Sequence, residues 1–156
     1  IIYMTPTIRR VHRMLSVIAE QSDIQVELEL DQDTPVLILE DDLYQIVFNL
    51  MENGMKYNLP GGKLKVALSR EEDNAILSVT DTGVGIPEDA LEHIFERFYR
   101  VDKARSRASG GSGLGLSIVR NMVERNSGKI SVESVMQQGS VFTVVFPAFD
   151  PEEDAL

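Results

Sequence analysis

Residues 63–81 read KLKVALSREEDNAILSVTD. KLKVALS and AILSVTD each alternate apolar and polar side chains, the period of a half-buried strand. The polar turn REEDN between them makes the pair a hairpin, so the fold must contain a sheet with one covered face. Other runs join it. IQVELEL (24–30) alternates, with Ile24, Val26, Leu28 and Leu30 on one side, and VLIL (36–39) adds a short strand. KISVESV (129–135) and SVFTVVF (140–146) are the last two strands. The second is apolar on both sides and therefore central.

The remaining periodic stretches have the helical spacing. PTIRRVHRMLSVIAEQS (6–22) puts Val11, Leu15 and Ile18 on one face. A second helix follows Asp41 or Asp42, either of which can cap it, and runs to about Tyr57 before NLPGG breaks it. EDALEHIFERF (88–98) is a short helical stretch. LGLSIVRNMVERNSG (114–128) carries Gly115, Ile118, Val119, Met122 and Val123 on one face, with Gly128 past its end. Residues 99–112 show no period and form a loop long enough to be functional. The order of elements predicts an α/β fold: a two-layer α/β sandwich, with a mixed sheet of about five strands and three main helices on one face.

The chain's 156 residues suit one domain, placed at 1–149, with the acidic residues 150–156 as a solvated tail. The absence of cysteine excludes a disulfide framework and thiolate metal sites. A net charge of −10 argues against nucleic acid as a partner. Arg9, Arg10 and Arg13 read as a basic helix face. No apolar run approaches the ~20 residues of a membrane span, so direct membrane contact is not expected. The first residue is not Met, and a piece of a longer protein is expected.

Three stretches carry chemistry. GGSGLG (110–115) stands at a helix start, where unpaired N–H groups and the positive end of the dipole face outward. Such a site suits phosphate. A P-loop needs Lys and then Ser or Thr after the last glycine, and Leu116 stands there instead. The dinucleotide fingerprint needs a strand just before the glycines, and a loop precedes them. A flexible linker with a helix cap fits this block as well.

DTGVGIP (81–87) follows a strand, and Asp81 shares the side of Leu77 and Val79. A carboxylate there needs a donor, which the exocyclic amino group of a base can supply. Gly83 and Gly85 let a flat ring approach the backbone. An ordinary Asp-Thr-Gly turn has the same composition.

In DDLYQIVFNLMENGMKYN (41–58), Leu43, Ile46, Val47 and Leu50 form the apolar face. Asn49, Asn53 and Lys56 share a stripe roughly 60° wide at its border. Two amide oxygens and an ammonium in a row suit a metal ion and phosphate oxygens; a plain polar helix edge is the alternative. Gly54 inside this helix costs about 1 kcal/mol relative to Ala.

NLMENGMKY, DTGVGIP, FERFYR and GGSGLGLSIV, in this order, closely resemble the four nucleotide-binding boxes of bacterial sensor histidine kinases. The resemblance runs from about Thr5 to Pro147 and implies their catalytic ATP-binding domain, a Bergerat α/β sandwich with an ATP lid loop. It implies ATP and Mg²⁺ as cofactors. Asn53 would be the Mg²⁺ ligand, assisted by Asn49. Lys56 would meet phosphate oxygens and Tyr57 would lie against the adenine. Asp81 would accept from the adenine amino group, with Gly83, Gly85 and Ile86 as the wall. Phe95 and Phe98 would anchor the lid. Arg100 would act catalytically on the γ-phosphate, helped by Lys103 and Arg105. Gly111, Gly113, Leu114, Gly115 and Leu116 would line the phosphates. Gly54 departs from the Ala usual in this family.

Related ATPases of the superfamily use a Glu one turn before the metal-binding Asn to activate water. Here that position is Asn49, and an amide is no general base. The resemblance also implies a phosphoacceptor His in a separate dimerisation domain and a response regulator downstream. His12 in RRVHRM and His93 in LEHIFE do not resemble the acceptor box and read as surface or boundary histidines. The expected setting is the cytoplasmic side of a membrane-anchored sensor kinase. An anti-sigma-type serine kinase and a non-catalytic nucleotide-binding module are the alternatives.

Overall fold

A computed structural model describes residues 1–97, 99 and 115–149. The elements in chain order are α1 (Thr5–Gln21), β1 (Gln25–Glu29), α2 (Glu40–Lys56), β2 (Lys63–Glu71), β3 (Asn74–Asp81), α3 (Gly115–Arg125), β4 (Lys129–Val135) and β5 (Gly139–Pro147). The sheet has five strands in the order β1-β2-β3-β5-β4. β1 pairs parallel to β2 and every other pair is antiparallel, so the sheet is mixed. The expected two-layer architecture and the interior position of β5 both hold.

Register explains the single covered face. Val66, Val79 and Phe142 lie side by side across β2, β3 and β5, as do Leu68, Leu77 and Val144. All six are buried. Period two brings Leu64, Asp81 and Ser140 to the same face at the end of the sheet. The helices pack here, with Ile8, Val11 and Leu15 of α1 and Leu43, Ile46, Val47 and Leu50 of α2 in the same core. Asp81 is thus the one acid in a row of apolar side chains.

Several local expectations differ. Leu39, not an aspartate, occupies the N-cap of α2; its own side chain makes no capping bond, and its N–H donates to Asn126 Oδ1 at 3.3 Å. Asp41 and Asp42 sit inside the first turn with Glu40, where their charge suits the dipole, and Lys56 closes the last turn. α1 is capped from a distance, since the Asp33 carboxylate accepts from the N–H groups of Met4 (3.2 Å) and Thr5 (2.9 Å). Its buried face runs through Ile8, Val11, Leu15 and Ala19, while Ile18 is 44% exposed. VLIL forms no strand: Val36 alone makes isolated bridges to Ile2 and Ala148. The hairpin turn is shorter than REEDN, with strands paired up to Glu71 and Asn74 and Glu72 at φ +53°.

Residues 88–97 are not an α-helix. Their backbone bonds step by three residues, as in Ala90 to Pro87, His93 to Ala90 and Glu96 to His93, which makes successive turns. In α3, Ser117 is buried with Val119 and Val123, while Ile118 is 38% exposed. Ser127, at φ +65°, takes the left-handed position after this helix. Gly128 is needed for space instead, because a Cβ there would lie 2.7 Å from the Phe146 ring. The expected lid residues Phe98, Arg100, Lys103 and Arg105, the glycine-block residues Gly111, Gly113 and Leu114, and the tail from 150 lie outside the described residues.

Candidate functional site

The second half of α2, the loop after β3, the β4–β5 turn and the start of α3 converge at one end of the sheet. Asp81, the last residue of β3, is 8% exposed. Its Oδ1 accepts from the Gly83 amide at 2.9 Å, and the Ser140 amide also donates to the carboxylate. Burial pushes the acid's pKa upward, and the two amides offset this only in part. A carboxylate in that state is a strong acceptor for any donor that reaches it.

The loop after Asp81 is fixed against α2. The Val84 N–H donates to the Tyr57 carbonyl at 3.0 Å. Gly83 passes so close that a Cβ would stand 2.3 Å from the same oxygen. On the other side the Gln137 N–H donates to the Val84 carbonyl at 2.8 Å, and the Ile86 N–H to Ser134 Oγ at 2.7 Å. Gly85 adopts φ +77°, and a Cβ there would lie 2.4 Å from the Val135 carbonyl. Both glycines permit backbone contacts that a side chain would block.

α2 borders the same end. Gly54 faces Asp81, and a Cβ there would be 3.8 Å from Asp81 Oδ2. Asn53, one residue earlier, is half-buried, and among the described residues nothing hydrogen-bonds its side chain. Asn49 donates through Nδ2 to the Gln45 carbonyl at 2.7 Å. Its Oδ1 approaches the start of α3, 3.5 Å from where a Cβ on Gly115 would stand. Lys56 pairs with Glu52 at 3.5 Å, a partner the sequence reading missed. Tyr57 ends α2 half-buried, and Ile86 and Leu116 pack against the core. Asn49, Asn53, Lys56, Tyr57, Asp81, Gly83, Gly85, Ile86, Gly115 and Leu116 therefore all fall on the elements that meet at this end.

Sequence reasoning also missed Asn58, Thr82, Ser134 and Ser140, which support the site's loops through hydrogen bonds. Ser134 and Ser140 share a hydroxyl hydrogen bond of 2.8 Å. Their signal was present in the alternation of β4 and β5, where both fall on positions facing the end of β3. The far end of α2 is locked as well. Buried Asp42 accepts from Arg125 Nε at 2.8 Å, from a second Arg125 nitrogen, and from Asn126 Nδ2 at 2.8 Å. The Arg125 hydrogen bond holds this carboxyl below the usual aspartate range. Beside their shared core, α2 and α3 thus approach each other at Asn49–Gly115 and are bonded at Asp42–Arg125.

Among the described residues no group of three His, Asp or Glu side chains gathers to hold a metal. The amide oxygens of Asn49 and Asn53 suit a cation that takes its other ligands from water and phosphate. His93 lies away from this arrangement, hydrogen-bonded to Glu96 at 2.8 Å beside the Tyr99 ring. Among the described residues no helix is long and apolar enough to cross a membrane.

The family profile described as "Histidine kinase-, DNA gyrase B-, and HSP90-like ATPase" matches residues 38–150. A stretch of 110 residues is 46% identical to the sensor histidine kinase RppB of Synechocystis sp., covering 70% of this chain and 24% of that protein. The chain thus spans about a quarter of that relative's length. The fold superposes on the mycobacterial sensor histidine kinase MprB with a TM-score of 0.80 at 30% identity, covering 94% of this chain and 95% of that one. It also superposes on histidine kinase ThkA, solved in complex with the response regulator protein TrrA, with a TM-score of 0.74 at 27% identity, covering 96% of this chain and 41% of that one.

Proposed function

The chain belongs to the histidine kinase-, DNA gyrase B-, and HSP90-like ATPase family, in the form of a sensor histidine kinase catalytic domain, and we propose that it binds Mg-ATP and presents the γ-phosphate to a histidine on a separate dimerisation domain. The observation that carries this reading is Asp81. It is a buried carboxylate at a sheet end, between a glycine loop and a helix that bears Asn53. A buried acceptor in that place favours a flat ligand with an N–H donor, which adenine supplies.

The protein's own groups have the following roles. Asp81 accepts from the adenine amino group, and Gly83, Gly85 and Ile86 form the wall beside the ring. Tyr57 lies against it, and Lys56 exchanges Glu52 for phosphate oxygens. Asn53, with Asn49, holds Mg²⁺, which supplies charge neutralisation to the phosphates when bound. Gly115 and Leu116, at the N-terminus of α3, offer backbone amides and the positive end of the helix dipole. By the resemblance, Gly111, Gly113 and Leu114 extend that cradle, while Arg100, with Lys103 and Arg105, faces the γ-phosphate. Phosphoryl transfer needs mainly positioning and charge balance. The acceptor imidazole nitrogen forms a bond to the γ-phosphorus as the bond to the β,γ-bridging oxygen breaks, and ADP leaves. Asn49 cannot take a proton from water, so hydrolysis is suppressed. We place the domain on the cytoplasmic side of a membrane-anchored sensor, with a response regulator as the next acceptor; TrrA in complex with ThkA supports that partner class.

Calorimetry with ATP and Mg²⁺ tests the reading. Binding, weakened by Asp81→Asn with a reduced preference for ATP over GTP, is the expected result. No heat and no thermal shift at millimolar nucleotide overturns it.

A further inference from the structure

Asn58 stands directly after the Lys56–Tyr57 pair and is 9% exposed. Its side chain joins three segments. Oδ1 accepts from the Leu59 N–H at 2.8 Å and from the Thr82 hydroxyl at 3.3 Å. Nδ2 donates to the Lys63 carbonyl at 2.9 Å. Thr82 completes the ring, since its Oγ1 accepts from the Lys63 N–H at 2.9 Å and its own N–H donates to the Lys63 carbonyl at 3.2 Å. The space is closed around this amide: a Cβ on Gly62 would stand 2.2 Å from Asn58 Oδ1.

The joined segments are the end of α2, the start of β2 and the loop after β3. The first carries Asn53, Lys56 and Tyr57, and the last follows directly on Asp81. One residue beyond Thr82, Gly83 runs against the Tyr57 carbonyl, and Val84 bonds to it. The loop that follows the base-recognising acid is therefore tied to the end of the metal-bearing helix at two neighbouring places: Tyr57 to Val84 through the backbone, and Asn58 to Thr82 through side chains. Only an amide serves at position 58, because the site needs an acceptor for two donors and a donor for one carbonyl. Aspartate lacks the donor and adds a charge, and alanine leaves the Thr82 hydroxyl and the Lys63 carbonyl short of a partner.

We infer that Asn58 is a positioning residue for nucleotide recognition: it holds the 82–84 loop, which orients the Asp81 carboxylate, in register with α2 without touching the ligand. This rests on the Mg-ATP reading above. Its effect falls on the base end of the ligand, because the Gly83 amide of this loop donates to the Asp81 carboxylate, while Asn53 and Lys56 are held by the helix itself.

The test measures Mg-ATP, Mg-GTP and Mg-tripolyphosphate binding by calorimetry on the native chain, Asn58→Ala, Thr82→Val and the double variant, at a temperature where thermal unfolding shows each folded. Asn58→Ala is expected to weaken ATP by about five- to tenfold, the scale of one misaligned hydrogen-bonded contact. Tripolyphosphate affinity stays within twofold and the preference for ATP over GTP shrinks. Thr82→Val, which removes only the hydroxyl, reproduces the direction, and the double variant loses less than the product of the single losses. Hydrogen exchange of the Thr82 and Val84 amides quickens in both single variants without nucleotide. A merely structural role would lower the melting temperature and leave the ATP/GTP ratio and tripolyphosphate ratio unmoved, which overturns the inference alone. Equal loss for all three ligands also overturns it. A native chain that binds none of them overturns the nucleotide reading and this inference together.

Discussion

Gly54→Ala separates helix propensity from packing in one substitution. In an exposed helix interior the change would stabilise by about 1 kcal/mol. Gly54 is buried in α2, and the new Cβ would stand 2.5 Å from Leu64 Cδ1. Carbon atoms pack best at about 3.5–4.0 Å, so the leucine methyl must retreat by about 1 Å. Leu64 is 0% exposed, which leaves it little free volume to enter. Overpacking of this kind costs about 1–3 kcal/mol. The two effects oppose, and the net expectation is a loss of about 1 kcal/mol, or about 2–4 °C in melting temperature for a chain of this size. Leu64→Val tests the cause. Alone it costs about 1 kcal/mol, as deletion of a buried methylene does. In the Gly54→Ala background the smaller side chain makes room, so the pair should cost at least about 1 kcal/mol less than the sum. Urea denaturation of the four proteins gives the cycle. Asp81 need not move, because its Oδ2 would be 3.8 Å from the new methyl, an ordinary contact, so base preference should persist. A full gain of about 1 kcal/mol from Gly54→Ala, or strict additivity with Leu64→Val, would refute the reasoning.

The sheet was readable because period two is a strong signal, and one covered face leaves its mark on every strand. KLKVALS, AILSVTD and SVFTVVF lie within the observed β2, β3 and β5. Helix faces were blurred at their edges. Ile18 and Ile118 are apolar and near the correct angle, yet they are exposed, and no described element covers them. VLIL looked like a strand because apolar content does not reveal whether a partner edge is available, and only Val36 meets one. EDALEHIFERF has helical composition, but three-residue steps after Pro87 win locally. The site was legible where chemistry forces residue type: a lone acid at a strand end, glycines where backbones touch, amides on one helix stripe. Its supports were not. Asn58 reads as part of a breaker, Ser140 as strand filler, and Asp42 as a cap, because the partner that gives each its role, Thr82 for Asn58, Asp81 for Ser140 and Arg125 for Asp42, lies on another element further along or back in the chain. Asp42 shows the limit most clearly, since Arg125 and Asn126 are 83 and 84 positions further on.

Asn53→Ala should remove the Mg²⁺-dependent part of ATP binding while leaving base preference intact, as titrations with and without Mg²⁺ would reveal; an unchanged Mg²⁺ dependence places the ion elsewhere. The chain alone should bind radiolabelled ATP yet neither retain label nor release phosphate briskly, because His12 and His93 are outside any acceptor context and Asn49 is no base; stable label or rapid hydrolysis contradicts this. Two carboxylates should give acid titrations of opposite sign. Burial raises Asp81 above its unfolded value, so its ionisation opposes folding. Its contribution is best below the unfolded pKa and declines as pH climbs to the folded one. Asp42 is lowered by its Arg125 hydrogen bond, so its contribution is present above the unfolded pKa and is lost as pH falls through the folded one. Urea midpoints measured across the acid range should therefore respond in opposite ways: Asp42→Asn flattens the acid-side loss, while Asp81→Asn makes stability rise more steeply with pH. ATP affinity adds a third curve, falling as pH drops through the raised Asp81 value because a protonated acid is a poorer acceptor for the amino group. The same sign of change in both variants would mean that burial does not govern Asp81, and the account of its role as the buried acceptor would fall with it.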